Sequence, residues 1–92
     1  MVALAGITIK VMPESVEVDL EALKNKGQDM IKEIYGDVKE IKVEEEPIAF
    51  GLKALNFTFI VEETLGSDVA IEGFNKFEEV ASSQCTGFQR LT

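Results

Sequence analysis

Apolar and polar residues alternate along Ile7-Thr8-Ile9-Lys10-Val11, a period of two that predicts a strand ending at Met12-Pro13. The turn Pro13-Glu14-Ser15 leads to Asp19, whose short carboxylate suits a helix N-cap. Beyond it Leu20, Leu23, Met30, Ile31 and Ile34 recur at helical spacings and form one apolar stripe. Gly27 lies on the same stripe; it lowers helix propensity but permits close packing on a sheet. Tyr35-Gly36-Asp37 then carries the glycine signal of a helix end.

A second strand is predicted from Val38 to Glu46, with Ile41 and Val43 inward and Glu40, Lys42 and Glu44 outward, until Pro47 interrupts it. The third, from about Leu52 to Glu62, places Leu55, Phe57, Phe59 and Val61 on one face and Asn56 and Thr58 on the other. Gly66-Ser67-Asp68 starts a second helix with the stripe Ala70, Phe74, Phe77 and Val80/Ala81, and a weaker strand follows from about Ser83 to Leu91. The order is βαββαβ. Short connections and right-handed crossovers fold that order into an α+β, ferredoxin-like split βαβ plan: a four-stranded antiparallel sheet with both helices on one face. The length predicts a single domain over residues 1–92.

Composition narrows the partners. A net charge of -8 argues against direct nucleic-acid binding, which needs clustered Lys and Arg, and suits solubility or a basic protein partner. The single cysteine, Cys85, excludes an internal disulfide and fits a reducing cytoplasm. No apolar run approaches the ~20 residues that span a bilayer, so no membrane association is expected. Met1 to Gly6 is apolar without a preceding basic region, which reads as the lead-in to a strand rather than an export signal.

Enzyme chemistry finds few candidates. Histidine is absent, and with it the commonest general base and metal ligand. No CxxC pair, GxGxxG or GxxxxGK[ST] occurs. An RNA-recognition sheet would carry aromatics in a basic string, whereas Phe57 and Phe59 fall on the core-side phase amid acidic residues. Glu44-Glu45-Glu46 could suggest a divalent metal, but consecutive strand side chains point to opposite faces and cannot converge on one ion. Cys85 has no neighbouring base to activate it. The expectation is a chain that is no enzyme, with no catalytic residue, metal or cofactor.

Two segments depart from ordinary scaffold. The link Glu46-Pro47-Ile48-Ala49-Phe50-Gly51-Leu52-Lys53 joins two strands, yet it holds Ile48 and Phe50 where turns are normally polar. Phe50 either folds back to cap the core or stands out as an aromatic anchor for a partner. At the C-terminus, Gln84 to Thr92, Arg90 is the only charged side chain after Glu79 and the only arginine of the chain. Its forked donors either lie over the acidic surface of the same domain or reach outward toward carboxylate or phosphate.

Together these segments resemble the archaeal elongation factor 1-beta family and the C-terminal exchange domain of its eukaryotic counterpart. The resemblance runs through Ile9-Lys10-Val11-Met12-Pro13-Glu14-Ser15, Val18-Asp19-Leu20-Glu21-Ala22-Leu23, the specific string Glu45 to Leu55, and Phe88-Gln89-Arg90-Leu91. It covers essentially the whole chain and implies the split βαβ fold. It also implies a guanine-nucleotide exchange factor for elongation factor 1-alpha, the GTPase that delivers aminoacyl-tRNA, bound in its GDP and nucleotide-free forms.

In the family's terms, Pro47, Ile48, Ala49, Phe50, Gly51 and Lys53 are expected to contact the GTPase, with Phe50 in the contact role of the eukaryotic Gly-Phe-Gly. Phe88, Gln89, Arg90 and Leu91 are expected to form the second contact. Arg90 falls where eukaryotic members carry a lysine that is pushed toward the partner's magnesium. The chain departs from that pattern in two ways: arginine is bulkier and planar, and Thr92 follows the leucine. Two other readings of the same plan stay open. One is an ACT-like module binding a small molecule at a dimer interface; the other is an adaptor using the open sheet face of Thr8, Lys10, Asn56, Thr58 and Ile60.

Overall fold

The computed structural model describes residues 4–36, 38, 40–48, 50–62 and 68–90. Their elements follow the order β1 (Leu4–Pro13), α1 (Leu20–Tyr35), β2 (Glu40–Pro47), β3 (Lys53–Glu62), α2 (Asp68–Asn75) and β4 (Val80–Arg90). The strands form one antiparallel sheet in the order β2-β3-β1-β4. This is the expected α+β ferredoxin-like arrangement, with β1 and β3 central and β2 and β4 at the edges.

The period of two in β1 and β3 sorts residues between the faces. Ala5, Ile7, Ile9 and Val11 are buried with Leu55, Phe57, Phe59 and Val61, while Thr8, Lys10, Asn56 and Thr58 turn to the other side. Register holds Ile9 opposite Phe57 and Ile7 opposite Phe59. Both helices cover that buried face. The Phe57 ring stacks tilted on Phe74 of α2, centroids 4.8 Å apart, and lies against Gly27 of α1. Burying each such side chain contributes roughly 1.5–3 kcal/mol, so the core rests largely on Phe57, Phe59, Phe74 and the aliphatic residues between them.

Helix α1 begins where Asp19 Oδ1 accepts from the backbone N–H groups of Glu21 and Ala22, at 3.1 and 3.3 Å. It ends at Gly36, whose N–H donates to Lys32 C=O at 2.9 Å with φ at 78°, a conformation that favours glycine. Leu23, Gly27 and Ile31 are its buried stripe, with Leu20 and Met30 packed at the margin. Tyr35 leans on Phe59, and burial pushes its hydroxyl up to about 12.

Several boundaries differ from the sequence reading. Helix α2 stops at Asn75, so Phe77, Val80 and Ala81 are not on it, and β4 starts at Val80 rather than near Ser83. The cause is a tightening of the chain. Lys76 N–H donates to Gly73 C=O, Phe77 N–H to Phe74 C=O and Val80 N–H to Phe77 C=O, three-residue steps that unwind the helix into a turn. Strand β2 begins at Glu40, not Val38, and includes Pro47, which faces Lys53 at the sheet edge where its missing N–H costs nothing. The expected strand lead-in over Met1–Ala3, and Asp37, Gly66 and Ser67 of the predicted caps, lie outside the described residues.

Candidate functional site

The link between β2 and β3 is a hairpin loop closed by Ile48 N–H donating to Leu52 C=O at 2.9 Å. Phe50 and Gly51 both take positive φ, 55° and 82°. Glycine adopts that region freely; a phenylalanine there is an outlier that the surrounding structure must hold in place. Phe50 is 97% exposed, so it does not cap the core. Of the two readings open in the sequence, the core cap does not hold: Phe50 projects outward.

The flanks of this loop are fixed by charge. Lys24 of α1 donates to Glu45 at 2.8 Å, and Lys53 lies 3.6 Å from the same carboxylate. The hydrogen bond from Lys24 holds the Glu45 carboxyl below the usual carboxylate range and holds the Lys24 ammonium above its own. On the opposite face, Asn56 donates to Glu46 at 2.9 Å with Lys10 3.7 Å away, which also lowers Glu46. The acidic triplet thus divides between both sides of the sheet, as alternation requires, each carboxylate within ion-pair reach of a lysine. Lys53, expected at the partner contact, is half-exposed and bound to Glu45.

At the other end, β4 carries Phe88 opposite Ile7, Gln89 opposite Gly6 and Arg90 opposite Ala5. Thr86 is bulged out between the pairs Thr8–Gly87 and Ile9–Cys85. The bulge rephases the strand: Cys85 and Phe88, three residues apart, both share the helix-covered face, as does Arg90. Phe88 is nonetheless 47% exposed, and Gln89 and Arg90 are exposed beside it. Cys85 is half-buried, its thiol 3.4 Å from Gly87 C=O. Simple alternation along β4 cannot reveal this phase, because no residue type marks the bulge.

The two groups do not meet. Leu55, just inside the Phe50 loop, pairs with Val11, whereas Arg90 pairs with Ala5, six residues away along β1. At ~3.3 Å per residue this is ~20 Å along the strands, on opposite edges of a molecule 45 Å long. Pro47, Ile48, Phe50, Gly51 and Lys53 gather at one end, and Phe88, Gln89 and Arg90 at the other. Ala49 and Leu91 lie outside the described residues.

One exposed residue was not singled out by its sequence. Val16, in the turn between β1 and α1, is 61% exposed at the same end as Phe50 and Ile48. Its Cγ1 lies 3.6 Å from the position a Gly51 side chain would take. An isolated valine in a polar turn carries no local signal; only the fold brings it beside Gly51. Among the described residues, no three acidic or cysteine side chains converge as a metal site would require, and no helix is long and apolar enough to cross a membrane.

Residues 6–91 match the EF-1 guanine nucleotide exchange domain. The chain is 46% identical over 85 residues to the elongation factor 1-beta of Methanobrevibacter smithii, covering 91% of this chain and 92% of that protein. It is similar to the same degree, over the same coverage, to the elongation factor 1-beta of Methanothermobacter thermautotrophicus. With that of Pyrococcus furiosus it shares 42% over 90 residues, 96% of this chain and 94% of the other. A match that spans nearly every described residue, identities of 42–46% to these relatives and a βαββαβ sheet that agrees with them lead to one assignment: the chain belongs to the elongation factor 1-beta family of EF-1 guanine nucleotide exchange domains, whose work is nucleotide exchange in translation elongation.

Proposed function

We propose that this chain, as one exchange domain in the cytoplasm, promotes GDP release from elongation factor 1-alpha by gripping that GTPase at two separated points. The observation that carries the reading is Phe50, an aromatic side chain held outward in left-handed backbone within a chain of the exchange family. Exposed aromatics of this kind dominate protein interfaces. Because Phe50 and Arg90 sit at opposite ends of the sheet, the partner is one that spans the domain's length.

A GTPase holds GDP through magnesium and backbone amides that complement the phosphates. The guanidinium of Arg90, brought to the magnesium position, competes electrostatically with the ion and lowers nucleotide affinity in the complex. By linkage, the domain then binds the nucleotide-free GTPase more tightly than the GDP form by the same factor. The protein makes and breaks no covalent bond in this cycle, and needs no cofactor, nucleic acid or membrane of its own. A small ligand of ACT type gives Phe50 no reason to stand outward, and an adaptor role does not account for the match to an exchange domain.

The test is release of a fluorescent GDP from elongation factor 1-alpha, with the domain titrated across a magnesium series. Release accelerates with domain concentration, and added magnesium suppresses the acceleration. No acceleration at any concentration would overturn the reading.

A further inference from the structure

Three of the four large exposed apolar side chains among the described residues, Val16, Ile48 and Phe50, lie at the loop end of the sheet. Between the two loops there is a cleft of about 190 Å³ lined by Pro13, Ser15, Val16, Val18, Gly51 and Lys53, among others. A space of ~150 Å³ accommodates a benzene-sized group, so the cleft has room for one branched or aromatic side chain. Its floor exists because Gly51 has no side chain there, and because Gly51, at positive φ, has little alternative to glycine.

The turn that forms the other wall is held in position before any partner arrives. Glu14 N–H donates to Glu79 C=O at 2.7 Å, Glu17 N–H to Ser15 Oγ at 3.3 Å and Val18 N–H to Ser15 C=O at 3.4 Å, while Asp19 caps α1. Val16 therefore sits exposed in a turn already tied down on both sides, which lowers the loop-ordering entropy lost when a partner binds. Its surroundings are mostly acidic. Glu14, Glu17, Asp19 and Glu21 lie between Lys10 and Lys24 with no cation among them, and the one cation lining the cleft, Lys53, is 3.6 Å from Glu45.

We propose that this cleft is a socket for a single bulky apolar side chain borne on a basic patch of the GTPase, with Val16 as its wall and Glu14 and Glu17 as its charged rim. The inference rests on the exchange reading and adds a third contact element to it, beside Phe50. Phe50 projects into the partner, and the socket beside it receives a side chain from the partner. The apolar fit sets how long the complex lasts, while the acidic rim sets how fast it forms and how strongly salt weakens it.

The test uses the full chain and the concentration that half-maximally stimulates GDP release from elongation factor 1-alpha. Val16→Asp is expected to raise that concentration about tenfold or more while the maximal rate stays within about twofold, because Arg90 is untouched. Its thermal midpoint should match wild type, since Val16 is mostly exposed. Glu17→Lys provides a second route that changes the rim and leaves the cleft's lining intact; it should raise the concentration several-fold and flatten its dependence on salt. Glu33→Lys, the same charge change on an exposed position in the far half of α1, should leave it unchanged. A half-maximal concentration for Val16→Asp within twofold of wild type overturns the socket even though exchange itself stands. A Glu33→Lys effect as large as that of Glu17→Lys overturns the charged rim. Failure of wild type to stimulate release would instead overturn the exchange reading on which the socket rests.

Discussion

A Cβ on Gly27 would lie 2.6 Å from the ring of Phe57 and 2.9 Å from that of Phe74, so α1 sits on the sheet at a distance only glycine allows. Both rings are fully buried and neither can swing aside. Gly27→Ala is therefore expected to destabilise by about 1–3 kcal/mol despite alanine's better helix propensity. Gly73→Ala is the contrast. Its Cβ would meet the thioether of Met30, the far end of a flexible side chain, so the change should be close to neutral. Urea denaturation of both variants checks the difference.

Phe50 separates stability from binding. Phe50→Ala should leave the free protein within about 0.5 kcal/mol of wild type, because a 97% exposed side chain has little packing to lose. Phe50→Gly should raise stability by up to about 1 kcal/mol, since left-handed backbone costs an L side chain roughly 1–2 kcal/mol and glycine's freedom in the unfolded chain offsets part of the gain. Both variants should bind elongation factor 1-alpha more weakly. Denaturation and GTPase titration on the same samples decide it; a large loss of stability in Phe50→Ala would mean that the ring is packed after all.

How much of this was legible beforehand follows from where the information sits. The phases of β1 and β3 and the Leu23–Gly27–Ile31 stripe came through, because burial imposes a period on adjacent residues. The close contact Gly27 permits was also legible, since a glycine on an apolar stripe has few other uses. The end of α2 was not: Phe77 and Val80 satisfy a helical period and a strand equally, and backbone bonds three residues apart decide between them. Val16 and the distance between Phe50 and Arg90 depend on register between strands remote in sequence, which no local pattern encodes.

Acid should loosen the fold through its carboxylate pairs. Glu45, Glu46 and Glu79 are held below the ordinary value of 4.5 by hydrogen bonds from Lys24, Asn56 and Lys26 respectively. A carboxylate depressed in the folded state contributes stability that is present above its unfolded value and lost as pH falls through its folded one. Thermal midpoint should thus be level near neutrality and fall below about pH 4.5. Glu45→Gln should lower the neutral midpoint slightly, because these pairs face solvent, and make the acid decline shallower. A pH series of melting curves reads both effects, and an unchanged acid limb in Glu45→Gln would exclude this pair as a contributor.

Arg90 gives the sharpest test of mechanism. Arg90→Ala should lower the maximal rate of GDP release by about tenfold or more, the equivalent of roughly 1.4 kcal/mol, with docking preserved by the remaining surface. Arg90→Lys should retain much of the rate, since a compact ammonium reaches the same region. Arg90→Glu should be worst, because an anion favours the magnesium ion it is meant to displace. Added magnesium should depress wild type more than Arg90→Ala. Equal rates for wild type and Arg90→Ala at every magnesium level would remove this residue from the mechanism.

The bulge at Thr86 gives β4 one residue of slack. Because Thr86 faces no partner residue on β1, its deletion would leave Cys85 opposite Ile9 and Phe88 opposite Ile7, with Arg90 still opposite Ala5. Removing Gly87 or Phe88 instead lets Thr86 move into the ladder, so the bulge absorbs that loss too and Arg90 again faces Ala5. One deletion between Thr86 and Gln89 is therefore absorbed, whereas a second, with the bulge already spent, moves the residues beyond it to the other face. A chain one residue shorter in this stretch would keep its cation on the same face of the sheet, and a chain two residues shorter would present it on the opposite one.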